Sequence, residues 1–100
     1  MESLEGQVAI VTGSATGIGY GIAKRLSEEG ANIVMVDFDP EMAEQSSSEM
    51  AARGIGVEVS IGDVAEPQTA QDAVRKAIDK WGKIDILVNN AGIGGANGNI

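Results

Sequence analysis

A chain of 100 residues makes one domain at most, long enough to bury a core but short for a cofactor site and a substrate site together. Fifteen acidic against seven basic residues leave a net charge of −8, which repels nucleic acid and anionic membrane surfaces. Without cysteine or histidine it offers no disulfide, thiolate, imidazole base or ordinary zinc site, and its acidic N-terminus and short apolar runs point to a soluble cytoplasmic protein without metal or membrane partner.

The first apolar run, Val8-Ala9-Ile10-Val11, reads as a strand to Thr12 and leads into the ladder Gly13-Ser14-Ala15-Thr16-Gly17-Ile18-Gly19. Clustered glycines let backbone approach a ligand closely, and the helix that follows points free N–H groups at it. The bland alternative is a tight strand-to-helix turn that binds nothing. That helix starts near Gly17, carries Ile18, Ile22 and Leu26 on one face, and ends at Gly30. Asn32 to Asp37 forms a second strand, placing an acidic residue about 20 residues after the ladder, where it can hold a ribose.

Asp39 suits the N-cap of a second helix, with Pro40 at its first position and an end near Arg53. Only Met42, Ala43, Met50 and Ala51 give it bulk around Ser46-Ser47-Ser48, so a partly exposed helix at the rim of the sheet is expected. A third strand spans Gly56 to Ile61. The helix opening at Glu66-Pro67 is expected to bury Ala70, Val74, Ala77, Ile78 and Trp81, and Asp85 to Asn89 forms a fourth strand. Glycines at 30, 54 and 82 close the three helices.

Alternating strands and helices with near-continuous apolar strands imply an α/β fold: a Rossmann-type, doubly wound parallel sheet in the order 3-2-1-4. A crevice then opens at the carboxyl ends of strands one and four. The glycine ladder forms one wall and Asn89-Asn90-Ala91-Gly92 the other.

Four features coincide: Thr-Gly-x-x-x-Gly-Ile-Gly from Thr12 to Gly19, Asp37 closing strand two, Asp63-Val64 after strand three, and Asn89-Asn90-Ala91-Gly92 after strand four. Together they resemble a short-chain dehydrogenase/reductase of the classical type, from Leu4 to about Gly94. The resemblance implies that Gly13, Gly17, Ile18 and Gly19 line the pyrophosphate of NAD, with Ser14 and Thr16 completing the ladder's contribution. Asp37 and the following Phe38 would border the adenosine ribose, and Asp63 and Val64 would meet the adenine. Asn90, Ala91 and Gly92 would flank the ribose and brace the sheet, Asn90 being bonded to Thr12. Asp63 also suits an ordinary Asx turn.

Asp37 can accept from both ribose hydroxyls of NAD but would repel the 2′-phosphate of NADP, and Thr16 and Phe38 stand where NADP-preferring members carry a basic residue. A literal Tyr-x-x-x-Lys at Tyr20 and Lys24 has the pattern of the family's catalytic pair. It lies in the wrong helix, so no catalytic residue is assigned. A Walker loop is excluded because no Gly-Lys-Ser or Gly-Lys-Thr follows the ladder, and a receiver domain because strand one ends on Thr12 and Gly13 rather than acids.

The expected whole is an oxidoreductase that interconverts a small-molecule alcohol and a ketone by hydride transfer with NAD, and the complete protein a homo-oligomer. Residues 1–100 would be its NAD-binding Rossmann portion, ending before the catalytic half with its serine, tyrosine and lysine. Strand four, with Ile84, Ile86, Leu87 and Val88, would then be an uncovered edge. The alternative is a stand-alone NAD(H)-binding module without chemistry.

Overall fold

In a computed structural model, which describes residues 3–90, β1 (Val8–Thr12) is flanked by β2 (Asn32–Asp37) and β4 (Ile86–Val88), with β3 (Val57–Ile61) outside β2. All pairings are parallel, in the expected order. Thr12 lies opposite Val36, Asp37 opposite Ile61 and Val11 opposite Val88, so the strands finish together at one end of the sheet. Ala91 and Gly92, two of the expected site residues, lie outside the described residues.

The helices α1 (Gly17–Glu28), α2 (Pro40–Ala52) and α3 (Pro67–Trp81) form the connections. Alternate side chains of a strand face opposite sides, and β1 and β2 feed two separate cores. Ala9, Val11, Ile33 and Met35 pack with Ala23 of α1 and with Ala43 and Met50 of α2. Val8, Ile10, Val34 and Val36 pack with Ala73 and Ala77 of α3. Burial on both faces explains the unbroken apolar runs.

α2 begins as its sequence suggests: Pro40 occupies its first turn, and Asp39 Oδ1 accepts from the N–H groups of Glu41 and Met42, both at 3.1 Å. At the end of α3, Gly82 has φ 80° and donates its N–H to the Ile78 carbonyl at 2.8 Å, a left-handed cap that a β-carbon would strain.

Two helix faces differ from expectation. On α1 the buried residues are Gly19, Ala23 and Ser27, while Ile22 and Leu26 pack at their flank and Ile18 is 68% exposed. The small ridge brings the helix axis close to the sheet, and Ile18, in the first turn, projects beyond the core. On α3 the buried ridge is Thr69, Ala73 and Ala77, with Trp81 half-buried; Ala70 is exposed, and Val74 and Ile78 are 44% and 46% exposed. α3 lies over β3, β2 and β1, so the side of its apolar stripe nearest β4 is left uncovered among the described residues. Together with Ile84 and Leu87 it borders an open apolar groove of about 270 Å³.

β4 is one residue shorter at each end than expected, stopping at Val88 and starting after Asp85, whose side chain clips the start of β1. Its N–H donates to the Val8 carbonyl and its Oδ2 accepts the Val8 N–H, both at 2.8 Å. That N–H, with Lys83 Nζ 3.1 Å away, holds the Asp85 carboxyl below the usual aspartate range. Among the described residues no helix is long and apolar enough to cross a membrane.

Candidate functional site

The loop between β1 and α1 leaves the sheet at Gly13 (φ 60°) and enters the helix at Gly17 (φ 63°), two left-handed positions that ordinary side chains disfavour. Between them the chain is pinned from three sides. Asp37 Oδ2, at the end of β2, accepts the Ala15 N–H at 2.9 Å. The Ser46 hydroxyl of α2 donates to the Ala15 carbonyl at 2.6 Å. Beyond β4, Asn90 Nδ2 donates to the Gly13 carbonyl at 3.3 Å, while the Asn90 N–H donates to Thr12 Oγ1 at 2.9 Å. The expected Thr12–Asn90 partnership is therefore present as a hydrogen bond.

The two helix N-termini near this loop are unlike each other. Asp39 caps α2, whereas Thr16, the N-cap of α1, is extended at φ −143° and makes no capping bond with its side chain. The first turn of α1 holds no acidic residue either. Its leading N–H groups, with the positive end of the helix dipole, are left for an anion.

An open groove of about 470 Å³ lies against this terminus. Of the residues expected at a cofactor site, Gly13, Thr16, Ile18, Asp37, Phe38, Asp63, Val64 and Asn90 line it. Gly17 and Gly19 sit in the loop beside them without lining it: Gly17 is exposed in the turn, and Gly19 is buried against the Gly13 carbonyl. Ser14 is fully buried behind the loop, its N–H directed to the Val36 carbonyl at 3.4 Å.

Asp37 is nearly buried and each of its carboxylate oxygens already accepts one backbone N–H, Oδ2 from Ala15 and Oδ1 from Asp39 at 3.1 Å. A carboxylate oxygen has two lone-pair sites, so both can take a further donor such as a sugar hydroxyl. Asp63 forms the Asx turn that its position allowed, Oδ1 accepting the Ala65 N–H at 2.8 Å, and still faces the groove. Ile18, Phe38 and Val64, all well exposed, give the rim apolar surfaces against which a planar base can lie.

A dinucleotide fits what these residues leave open. The Gly13 carbonyl can only accept, which orients the Asn90 amide with Nδ2 toward it and leaves Oδ1 buried without a partner among the described residues. A buried acceptor without a donor is costly, so this oxygen marks a residue of the groove wall whose bonding is incomplete.

Tyr20 faces elsewhere. Its hydroxyl donates to Glu49 Oε1 on α2 at 2.6 Å, and that bond, with burial and the Glu49 charge, raises its pKa. A tyrosine that exchanges protons near neutral pH needs the opposite shift.

Three groove residues, Asp39, Met42 and Gly62, were not expected there. Met42 was visible only as apolar filler, and Gly62 simply follows β3. Ser46 was hidden inside a serine run, although its spacing from Ala43 and Met50 sets it on the buried stripe of α2.

The profile of the family described as short chain dehydrogenase matches residues 7–100. Oxidoreductase UcpA of Escherichia coli (strain K12) is 41% identical over 93 residues, which cover 93% of this chain and 35% of that protein. L-rhamnose 1-dehydrogenase (NAD(P)(+)) of Sphingomonas sp. (strain SKA58) is 43% identical over 94 residues, covering 93% of this chain and 37% of that protein. Among solved structures, 2-keto-3-deoxy-D-gluconate dehydrogenase from Streptococcus agalactiae matches with a TM-score of 0.79 and 41% identity, covering 91% of this chain and 34% of its own. The chain spans about a third of the length of these relatives.

Proposed function

Because the chain belongs to the short chain dehydrogenase family, we propose that it forms the NAD-binding part of an oxidoreductase that interconverts an alcohol and a ketone. The observation that carries this reading is an uncapped helix terminus and a nearly buried carboxylate sharing one groove. The N–H groups at the start of α1 would take the pyrophosphate, and Asp37 the hydroxyls of the adenosine ribose. Asp63 and Val64, which line the same groove, would meet the adenine, and Ile18 and Phe38 would lie beside its faces. Bound nicotinamide supplies the hydride acceptor or donor. This chain's residues bind and orient; the accompanying proton falls to a serine, tyrosine and lysine of the kind the family carries further along its sequence.

Asp37 makes the site selective. A 2′-phosphate ~4 Å from the carboxylate would be repelled by up to ~4 kcal/mol at an effective dielectric of 20, which allows as much as a thousandfold preference for NAD. Calorimetric titration of the chain with NADH and NADPH tests this, NADH binding more tightly. In Asp37→Asn, which removes the charge and keeps only one of the two oxygens that accept backbone N–H groups, both affinities should fall and the preference for NADH should shrink. Equal affinity of the unaltered chain for both would remove the selectivity argument, and no heat with either would remove the cofactor assignment.

A further inference from the structure

Ala15, midway along the loop, is held through both of its backbone polar groups by residues from two different elements. Its N–H is bound by Asp37 Oδ2 of β2, and its carbonyl by the Ser46 hydroxyl of α2. The N–H belongs to the peptide plane before Ala15 and the carbonyl to the plane after it. Fixing both planes fixes φ and ψ of Ala15, and with them the direction in which the chain enters Thr16 and α1. The Asp37 bond is made by a residue that itself lines the groove. Ser46 lies outside the groove and reaches it only through the loop.

Ser46 is not there for its helix. Serine is a weaker helix former than alanine, and the residues that share its buried stripe, Ala43 and Met50, are apolar. Within a helix a serine hydroxyl usually turns back to a carbonyl one turn earlier, as Ser47 does to Glu44 at 3.1 Å. Ser46 instead sends its hydroxyl out of α2 to a residue 31 positions away. One turn on, Glu49 takes the Tyr20 hydroxyl, so the same side of α2 grips both the loop and the helix that follows it.

We infer that Ser46 is a positioning residue for the diphosphate: by holding the Ala15 carbonyl it aims the N–H groups of Gly17, Ile18 and Gly19. This rests on the cofactor reading above. Removing the hydroxyl leaves the Ala15 carbonyl free to rotate, and the loss falls on ligands that carry the diphosphate, not on the nucleoside held by Asp37 and Asp63.

The test compares ADP-ribose with adenosine on the full chain, by calorimetry and NMR titration respectively, in wild type, Ser46→Ala and Ser46→Thr. Ser46→Ala should weaken ADP-ribose about tenfold and adenosine less than about twofold, and Ser46→Thr, which keeps the hydroxyl, should recover most of the loss. If Ser46→Ala does not fold by circular dichroism, Ser46→Cys, a near-isostere with a weak donor, should show the same selective loss at smaller size. Equal weakening of both ligands, or of neither, overturns the inference while leaving the cofactor reading intact. Wild type that binds neither ligand overturns the cofactor reading, and this inference with it.

Discussion

Two glycines two residues apart in α1 should respond oppositely to the same added methyl group. At Gly19 a β-carbon would run into the Gly13 carbonyl oxygen, lie 2.7 Å from the Gly13 carbonyl carbon and 2.6 Å from Asn90 Nδ2. The obstacle is mainly backbone, so the helix or the loop must move. Overpacking of that kind costs about 3 kcal/mol, and losing the Asn90–Gly13 hydrogen bond about 1 more, against a gain of about 1 from replacing glycine by alanine in a helix. At Gly21 nothing lies within 4 Å, and only the gain applies. With about 4–8 °C per kcal/mol for a domain of this size, Gly19→Ala should melt roughly 12–24 °C below wild type and Gly21→Ala about 4–8 °C above it. Thermal and urea unfolding followed by circular dichroism read both, the urea slope reporting whether the same surface is exposed. A Gly19→Ala variant melting within about 3 °C of Gly21→Ala would refute the close approach of α1 to the loop.

The Asp85 carboxyl is held below its unfolded value by the Val8 N–H and Lys83, so its contribution to stability is present above the ordinary aspartate value of ~3.9 and lost as pH falls through the folded one. The gap in urea midpoint between wild type and Asp85→Asn should therefore be constant from about pH 7 to 5 and close below about pH 4; a gap still undiminished near pH 3 contradicts the assignment. Tyr20→Phe removes an exposed bond to Glu49 and should change stability by about 1 kcal/mol or less without altering NADH affinity, whereas a tenfold or larger loss of NADH affinity would return Tyr20 to the site. Leu87, 67% exposed on β4, an edge strand among the described residues, beside Ile84 and Val74, should make the chain prone to associate. Leu87→Lys should shift its sedimentation toward monomer, and a wild-type chain that is already monomeric at high concentration would contradict this.

Much of the architecture could be read from residue order. β1 and β2 have the bounds read from their apolar runs and the polar residues that border them, and Asp39-Pro40 marks the start of α2 because one side chain both caps and precedes a residue that cannot donate. Periodicity tells which residues of α3 share a face but not how wide a strip the sheet covers, which is why Val74 and Ile78 read as core yet stand exposed. Ile18 fell outside the core for a related reason: how near a helix sits to a sheet depends on its smallest residues, here Gly19 and Ala23, not its largest. In the site, glycines and carboxylates were legible because their backbone and charge properties act locally. The grip of Ser46 on Ala15 was not, since its partner is set by how α2 lies across the loop.

The bonds from Asn90 to Thr12 and from Asp85 to Val8 join residues 78 and 77 positions apart. Closing so long a loop costs about 2 kcal/mol more than closing one of ten residues. During synthesis the glycine turn and Asp37 leave the ribosome early, yet one brace of the turn does not exist until Asn90 has cleared the exit tunnel. Competence to capture a nucleotide should then wait for the step in which β4 docks beside β1, rather than growing with each strand.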